Sequence, residues 1–261
     1  MGKRIPGLWN APCGMSAAIL FSLLTPLVEG GPIVYTGSNA TLSASVTFQQ
    51  IGTNLQVTLA NVSLKDVKMP SDVLTAVFFT LAGDPSLTPM SCTIAPGSTV
   101  LFGGTDPGEC VGGEWAYKNH LHGTHSGANE GISACSLNCF GANDRFPGSN
   151  LQGPISPSGL EYGITSAGDN PGTGSHLVTG RNALIKDAVV LTLCGLPTNY
   201  VLDASCISKV YFRYGPADCS GRDLPGRPTP DPGGSIPEPS TWALVVVGGL
   251  LGLSLCRRRQ S

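Results

Sequence analysis

Three histidines lie close together in the middle of the chain, in the segment HLHGTH. His122 and His125 follow His120 by two and five residues. Imidazole nitrogens at this spacing on a loop can converge on one metal ion. However, the spacing differs from that of the zinc proteases, and no glutamate stands where their general base does. The flanking Gly123 and Gly127 favour a plain exposed loop, so we predict no metal site and no cofactor.

Cysteine is the second residue type that could do chemistry. The chain has nine cysteines, of which Cys13 and Cys256 lie near its ends. In an oxidising compartment the other seven favour a disulfide set, and the number of arrangements keeps the connectivity open. Pairing between sequence neighbours would join Cys92 to Cys110, Cys135 to Cys139, and Cys194 to Cys206. Cys219 would then have no partner among the seven.

The acidic residues form no recognisable catalytic motif. Glu109 and Glu114 would suit glycoside hydrolysis only if they lay roughly 5–10 Å apart in space, which the sequence does not define. The turns at 104–108 and 168–172 contain Asp and could donate oxygens to calcium, but such residues more often cap their own backbone. The sequence also contains no nucleophile elbow, phosphate loop or Cys-x-x-Cys pair. We therefore predict that the protein is not an enzyme.

Aromatic residues in the middle of the chain have two possible roles. Exposed rings could stack on sugars, whereas buried rings would fill a core whose strands are otherwise short, and we favour the core. The rings concerned are those of Trp115, Tyr117, Phe140, Phe146 and Tyr162.

Composition restricts the protein class. The 261 residues include 35 Gly and 21 Pro, with 12% charged and 41% hydrophobic residues. So little charge excludes a coiled coil and a highly charged disordered chain. Segment 31–236 has a net charge of −5, with no basic stripe for nucleic acid. We predict no nucleic-acid partner.

Alternating residues predict the strands that must position any site. Segments 41–48 and 54–62 alternate apolar and polar residues around a glycine-containing link, which predicts an antiparallel hairpin. Segments 73–81, 188–193 and 207–214 are more continuously apolar and predict strands buried on both sides. Residues 84–182 predict long Gly/Pro-rich loops with several short strands.

These patterns predict a mainly β fold. We expect a single β-sandwich-like antiparallel domain over residues 31–219. Residues 220–236 are rich in Pro and Gly and predict an extended linker.

Both ends of the chain carry membrane-targeting patterns. Residues 1–30 begin with Lys3 and Arg4 and continue into an apolar run, the plan of a secretory signal peptide. Residues 240–256 form a second apolar segment, which as a helix would be about 25 Å long against a hydrocarbon core of about 30 Å. We predict a single transmembrane helix there, with a cytoplasmic stop cluster of Arg257, Arg258 and Arg259.

The last residues resemble a bacterial sorting signal. Pro237, Glu238 and Pro239 come directly before the apolar segment and the arginine cluster. This order resembles the PEP-CTERM signal of exported proteins over residues 237–261. The resemblance implies an exosortase-type membrane protease as partner and cleavage near the triplet. It also implies transient anchoring in the inner membrane of a Gram-negative-type bacterium, followed by delivery to the cell surface or extracellular matrix. The alternative is an anchor that is never removed.

A second resemblance covers the domain itself. Segments 70–79, 112–117, 149–171 and 184–197 are similar to an uncharacterised group of exosortase-dependent surface proteins, which supplies no biochemical activity. The resemblance implies an exported protein with a structural or matrix-associated role, with extracellular polysaccharide as a further candidate partner. The alternative is a secreted carbohydrate-binding module or polysaccharide hydrolase.

Overall fold

The computed structural model describes residues 30–103, 108–122, 124, 126–135, 142–148, 160–175, 183–216 and 222–229. Within these ranges the chain forms fourteen strands, which confirms the mainly β prediction. In chain order they are β1 Ile33–Ser38, β2 Ser43–Ile51, β3 Asn54–Asn61, β4 Leu74–Leu81, β5 Thr88–Ile94, β6 Thr99–Leu101, β7 Ala116–Lys118, β8 Glu130–Ser133, β9 Ile164–Thr165, β10 Leu184–Lys186, β11 Ala188–Cys194, β12 Ile207–Tyr214, β13 Arg222–Pro225 and β14 Arg227–Pro228. Two short 3-10 turns lie at Pro70–Asp72 and Ala142–Asp144.

The predicted hairpin is confirmed as β2 and β3. The two strands pair antiparallel from Ala44 opposite Asn61 to Ile51 opposite Asn54. Gly52 in the connecting turn has a φ of +59°, a conformation that favours glycine because it has no Cβ. The turn therefore sets the register that places the apolar side chains of both strands on one face.

The strands form two sheets. The first sheet has the order β14-β1-β2-β3-β11-β5. The second has the order β13-β12-β4-β9-β10-β6, with β8 pairing β4 and β7 pairing β8. The prediction of purely antiparallel pairing is wrong at one place, because β9 and β10 run parallel.

The main core lies between the sheets. The Phe48 ring of β2 meets the Phe79 ring of β4 edge-on, with 4.9 Å between ring centres. Tyr35 of β1 packs on the other side of Phe48 at 6.3 Å, and its hydroxyl donates a 2.7 Å hydrogen bond to the Ile207 carbonyl of β12. The two sheets are thus joined by ring packing and by a buried polar contact.

Two predictions about strand surroundings need correction. Segment 188–193, expected to be buried on both sides, forms β11 with Val190 and Thr192 only partly buried, because these two side chains point away from the core between the sheets. Part of the predicted linker 220–236 belongs to the sheets. β13 pairs with β12, and β14 pairs with β1. The ordered domain therefore extends past residue 219 to Thr229.

The described part of the chain contains no helix that is long and apolar enough to cross a membrane. The predicted transmembrane segment 240–256 lies outside these residues, as does nearly all of the predicted signal peptide 1–30.

Candidate functional site: a carboxyl cluster at the β7–β8 hairpin

Strand pairing brings two carboxyl groups together at one end of the second sheet. Glu130 begins β8 and lies opposite Phe79 of β4. Asp84 follows the end of β4 in a tight turn, where it has a φ of 46° and its amide donates to the Leu81 carbonyl. Tyr117 comes from β7, which pairs with the other edge of β8. We call Asp84, Tyr117, His120, Asn129 and Glu130 the carboxyl cluster.

Hydrogen bonds connect the members of the carboxyl cluster. The Tyr117 hydroxyl donates to Glu130 Oε2 in a short, buried hydrogen bond. Asn129 Nδ2 donates to Asp84 Oδ1 at 2.8 Å, and His120 Nδ1 lies 2.9 Å from Asp84 Oδ2. Asp84 also lies near enough to Glu130 to influence the pKa of that carboxyl group. The contacts thus link Tyr117 to Glu130, and His120 and Asn129 to Asp84.

The Glu130 carboxyl group is protonated at neutral pH. Burial raises its pKa to about 8, the hydrogen bond from Tyr117 works in the opposite direction, and the negative charge of Asp84 raises the pKa further. Burial also raises the pKa of Tyr117, and the neighbouring Glu130 adds to the effect. A protonated Glu130 adds no second negative charge beside Asp84 at neutral pH.

Accessibility limits what the carboxyl cluster can do chemically. Glu130 is 0% exposed and Tyr117 is 2% exposed, so neither can touch a polymer in solution. The side chains of His120 and Asp84 are 52% and 46% exposed. The cluster can hold a proton and fix the end of β4 against the β7–β8 connection. A dissolved molecule would reach only its outer two members.

The two histidines of the HLHGTH segment that the structure describes lie in different surroundings. His120 contacts Asp84, whereas His122 is exposed. His125 lies outside the described residues. Among the residues that are described, no three or more His, Cys, Asp or Glu side chains are grouped so that they could hold a metal ion.

The structure does not support two of the predicted disulfides. Cys92 and Cys110 are free thiols although they lie on adjacent segments, where Thr93 bridges to Cys110. Burial, reinforced by Cys110, raises the pKa of the Cys92 thiol well above its usual range. Cys194 and Cys206 are free thiols as well. The third pairing, of Cys135 with Cys139, stays a prediction because Cys139 lies outside the described residues.

The Asp-rich turn at 168–172 caps backbone instead of gathering ligands. Asp169 Oδ1 accepts hydrogen bonds from the amides of Val67 and Ser175, at 3.0 and 3.3 Å. Asp66 accepts from the Asn170 amide and from Thr173. Lys68, followed by the Asn170 amide, lowers the pKa of Asp66 to about 2. These carboxylates bind the loop after β3 to the loop after β9.

The other predicted acid pair is divided between two environments. Glu109 is exposed, with a φ of 60°, whereas Glu114 is 1% exposed. The aromatic residues are in the core, as we favoured. Trp115, Tyr117, Phe146 and Tyr162 are each at most 2% exposed, and Phe140 lies outside the described residues. The described rings therefore cannot stack on a sugar.

Sequence reasoning missed both carboxyl residues of the cluster. Asp84 had a weak signal, because a Gly-Asp pair directly after an apolar strand indicates a turn. Glu130 had none, since a single acid between Asn129 and Gly131 looks like an exposed loop residue. Only the pairing of β8 between β4 and β7 buries it.

The C-terminal end of the chain matches a known sorting motif. Residues 235–259 match the PEP-CTERM protein-sorting motif, which confirms the resemblance carried by Pro237, Glu238, Pro239 and the arginine cluster. These residues lie outside the described part of the structure. No curated protein and no solved structure matches the chain. The motif marks an exported protein that is sorted to the cell surface and processed by an exosortase.

Proposed function

We propose that this exosortase-sorted protein is a structural, matrix-associated component of the cell surface. The sorting motif at 235–259 carries the proposal, because proteins with this motif are exported and sorted to the cell surface. In this proposal the apolar segment 240–256 holds the protein in the inner membrane until the exosortase cuts near Pro237, Glu238 and Pro239. The domain then passes to the surface or to the extracellular matrix.

We further propose that the domain is not an enzyme. The burial of Glu130 supports this, because a general acid must come within hydrogen-bond reach of the group it protonates. Among the described residues, the neighbouring carboxyl groups of Asp84 and Glu130 favour the alternative, a polysaccharide hydrolase. Reducing ends released from a polysaccharide by the wild type, and lost in an Asp84→Asn variant, would establish the alternative.

The intact mass and C-terminal peptide of the protein recovered from its own cells test the sorting step. We expect a chain that ends near Pro239 and lacks Arg257–Arg259. A Glu238→Ala variant should keep the arginines and stay with the membrane fraction. Asp231→Ala, which also removes a carboxylate from the segment before the membrane anchor, should be processed like the wild type.

The test also separates the proposal from a permanent anchor. If the wild-type protein from its cells still carries Arg257–Arg259, the domain remains tethered and the matrix-associated role is wrong. Recovery of the processed chain from washed extracellular matrix is the result we expect.

A further inference from the structure

The first sheet has an unusual outer surface. The strands β1, β2, β3, β5 and β11 contain no Asp, Glu, Lys or Arg. Solvent-facing strands normally carry charges, which keep the protein soluble and prevent sheets from associating. A surface across five neighbouring strands without a charged residue therefore needs a reason. We call the outward side chains of these five strands the polar face.

Strand register arranges the polar face in rows. Gln49, Gln56, Thr192 and Ser91 are successive partners across β2, β3, β11 and β5. Thr47 and Thr58 pair in the next row. Neighbouring strands lie about 4.8 Å apart, and side chains on one face repeat about every 6.8 Å along a strand. The result is a regular grid of hydroxyl and amide groups.

The hydrogen-bonding capacity of the central grid is unused within the described part of the protein. The side chains of Thr47, Gln49, Gln56, Thr58, Ser91 and Thr192 make no hydrogen bond to another described residue, and each is at least partly accessible. Hydroxyl and amide groups can both donate and accept. A partner that also presents groups of both kinds would match them without needing a charge.

We propose that the polar face binds an uncharged polysaccharide. This inference rests on the proposed function, because only an exported domain meets such a polymer. Sugar hydroxyls donate and accept, like the side chains of the grid. An anionic polymer would lose hydration against this face without gaining a cation, and the net charge of −5 of segment 31–236 would oppose it.

A second copy of the chain fits the polar face less well. The fully buried core of an interface between copies is typically about 65% apolar. On the polar face the large apolar side chains are Val34, Val190 and, at the ends of β2 and β5, Ile51 and Met90, and the central rows between them are threonine, serine and glutamine. Packing two such faces together would bury hydroxyl groups on both copies. These groups could hydrogen-bond to each other only where their spacing matched by chance.

Depletion of the purified mature protein from solution by insoluble polymer tests the inference. The probes are cellulose and the neutral polysaccharide fraction of the producing cells, with alginate gel as an anionic comparison. We expect binding to at least one neutral probe and none to alginate. Thr58→Glu places a charge in the centre of the grid and should weaken binding by about tenfold or more, the factor that 1.4 kcal/mol represents.

Two further variants make the result specific. Thr198→Glu introduces the same charge on the exposed loop after β11, outside the strands that form the grid, and should bind like the wild type. Thr58→Val replaces the hydroxyl group with a methyl group of similar size, suits a strand, and should also weaken binding. Circular dichroism and urea unfolding of each variant show that the fold is retained.

Several results would overturn the inference. They are absence of binding to both neutral probes, equal binding by Thr58→Glu, preference for alginate, or concentration-dependent dimers that Thr58→Glu abolishes. Cell fractionation keeps the two proposals apart. A processed protein in the matrix that ignores both neutral probes would leave the proposed function standing. A protein that binds them but stays in the membrane would refute the matrix role instead.

Discussion

The strands β1, β2, β3, β5 and β11 of the first sheet carry no charged residue, and their outward side chains are partly accessible in the described structure, whereas the second sheet is covered around β4 and carries the carboxyl cluster. Phe78 of β4 stacks on Tyr211 of β12 at 4.7 Å, and Arg213 lies 5.4 Å above the Phe78 ring. The segment that joins β7 to β8 adds Ala128 to this second apolar layer. Both sheets share one core, and among the described residues the second has a further apolar layer on its other side near β4.

The two sheets therefore place their polar groups in different ways. In the second sheet, burial changes the chemistry of the group itself, as the raised pKa of Glu130 shows. In the first sheet, the polar groups keep their ordinary chemistry and are distinguished only by their regular arrangement. We therefore expect substitutions in the second sheet to change stability and those on the polar face to change binding.

Removing the ring that joins the sheets should have the largest effect. Phe48→Ala leaves a cavity against Phe79 and Tyr35 and should lower the free energy of unfolding by about 3–5 kcal/mol. Phe48→Leu, which fills most of the space, should cost less. Urea unfolding measured by circular dichroism and by fluorescence of the buried Trp115 should give one transition. Two separated transitions would mean that the sheets are independent.

Glu130→Gln should alter how stability depends on pH. The folded-state pKa of Glu130 is about 8, against an ordinary value of 4.5. Between these pH values the folded state binds the proton and the unfolded state does not. The stability contributed by this group is therefore complete below about 4.5 and falls as pH rises to about 8, by about 1.4 kcal/mol per pH unit.

Glutamine is neutral at every pH, and its carbonyl can still accept from Tyr117. Urea unfolding from pH 5 to pH 8 should therefore show a flatter profile for Glu130→Gln than for the wild type. Glu109→Gln, which changes an exposed acid of the same kind, is the control and should follow the wild type. Parallel profiles for Glu130→Gln and the wild type would contradict a protonated Glu130.

A smaller loss of stability should follow Asp223→Asn. Arg213 Nε and Nη2 donate to the two oxygens of Asp223 at 2.9 and 3.1 Å, which joins β13 to β12. Because the pair is partly exposed, the cost should be about 1 kcal/mol. Hydrogen exchange should show faster exchange of the β13 amides with little change in β2. Unchanged exchange in β13 would mean that backbone pairing alone holds this strand.

The smallest effect on folding should come from the polar face. Thr58→Val replaces an outward hydroxyl group with a methyl group and should change the free energy of unfolding by no more than about 0.5 kcal/mol. Thermal unfolding of Thr58→Val, compared with that of the wild type and of Phe48→Ala, would check this. A large loss from Thr58→Val would show that the hydroxyl group supports the fold, and its use as a binding variant would then be unsound.

Local patterns predicted the hairpin well because its register depends on neighbouring residues. The alternation in β2 and β3 and the glycine at position 52 define which side of each strand is buried. The same alternation places Thr47 and Thr58 on the outer side. The charge-free character of the five strands is also visible in the sequence. What it could not show is that they are neighbours in one sheet.

The strands β13 and β14 illustrate a failure of the same reasoning. Their prolines and glycine indicate a linker, yet Leu224 is buried and Pro228 lies opposite Tyr35. Short strands of this kind are stabilised by partners far away in the chain, here β12 and β1. Composition alone therefore ended the domain too early.

The sequence by itself determined the destination of the protein, its main hairpin and the absence of charge from five strands of the first sheet, namely β1, β2, β3, β5 and β11. A sorting motif is read along the chain and a hairpin is closed by its own turn, so neither depends on distant residues. Tertiary structure decided that Asp84 and Glu130 meet, that Trp115 is buried, and that Gln49, Gln56, Thr192 and Ser91 form one row. Each of these depends on pairing between distant strands, and burial and long-range register do not exist until those strands have come together.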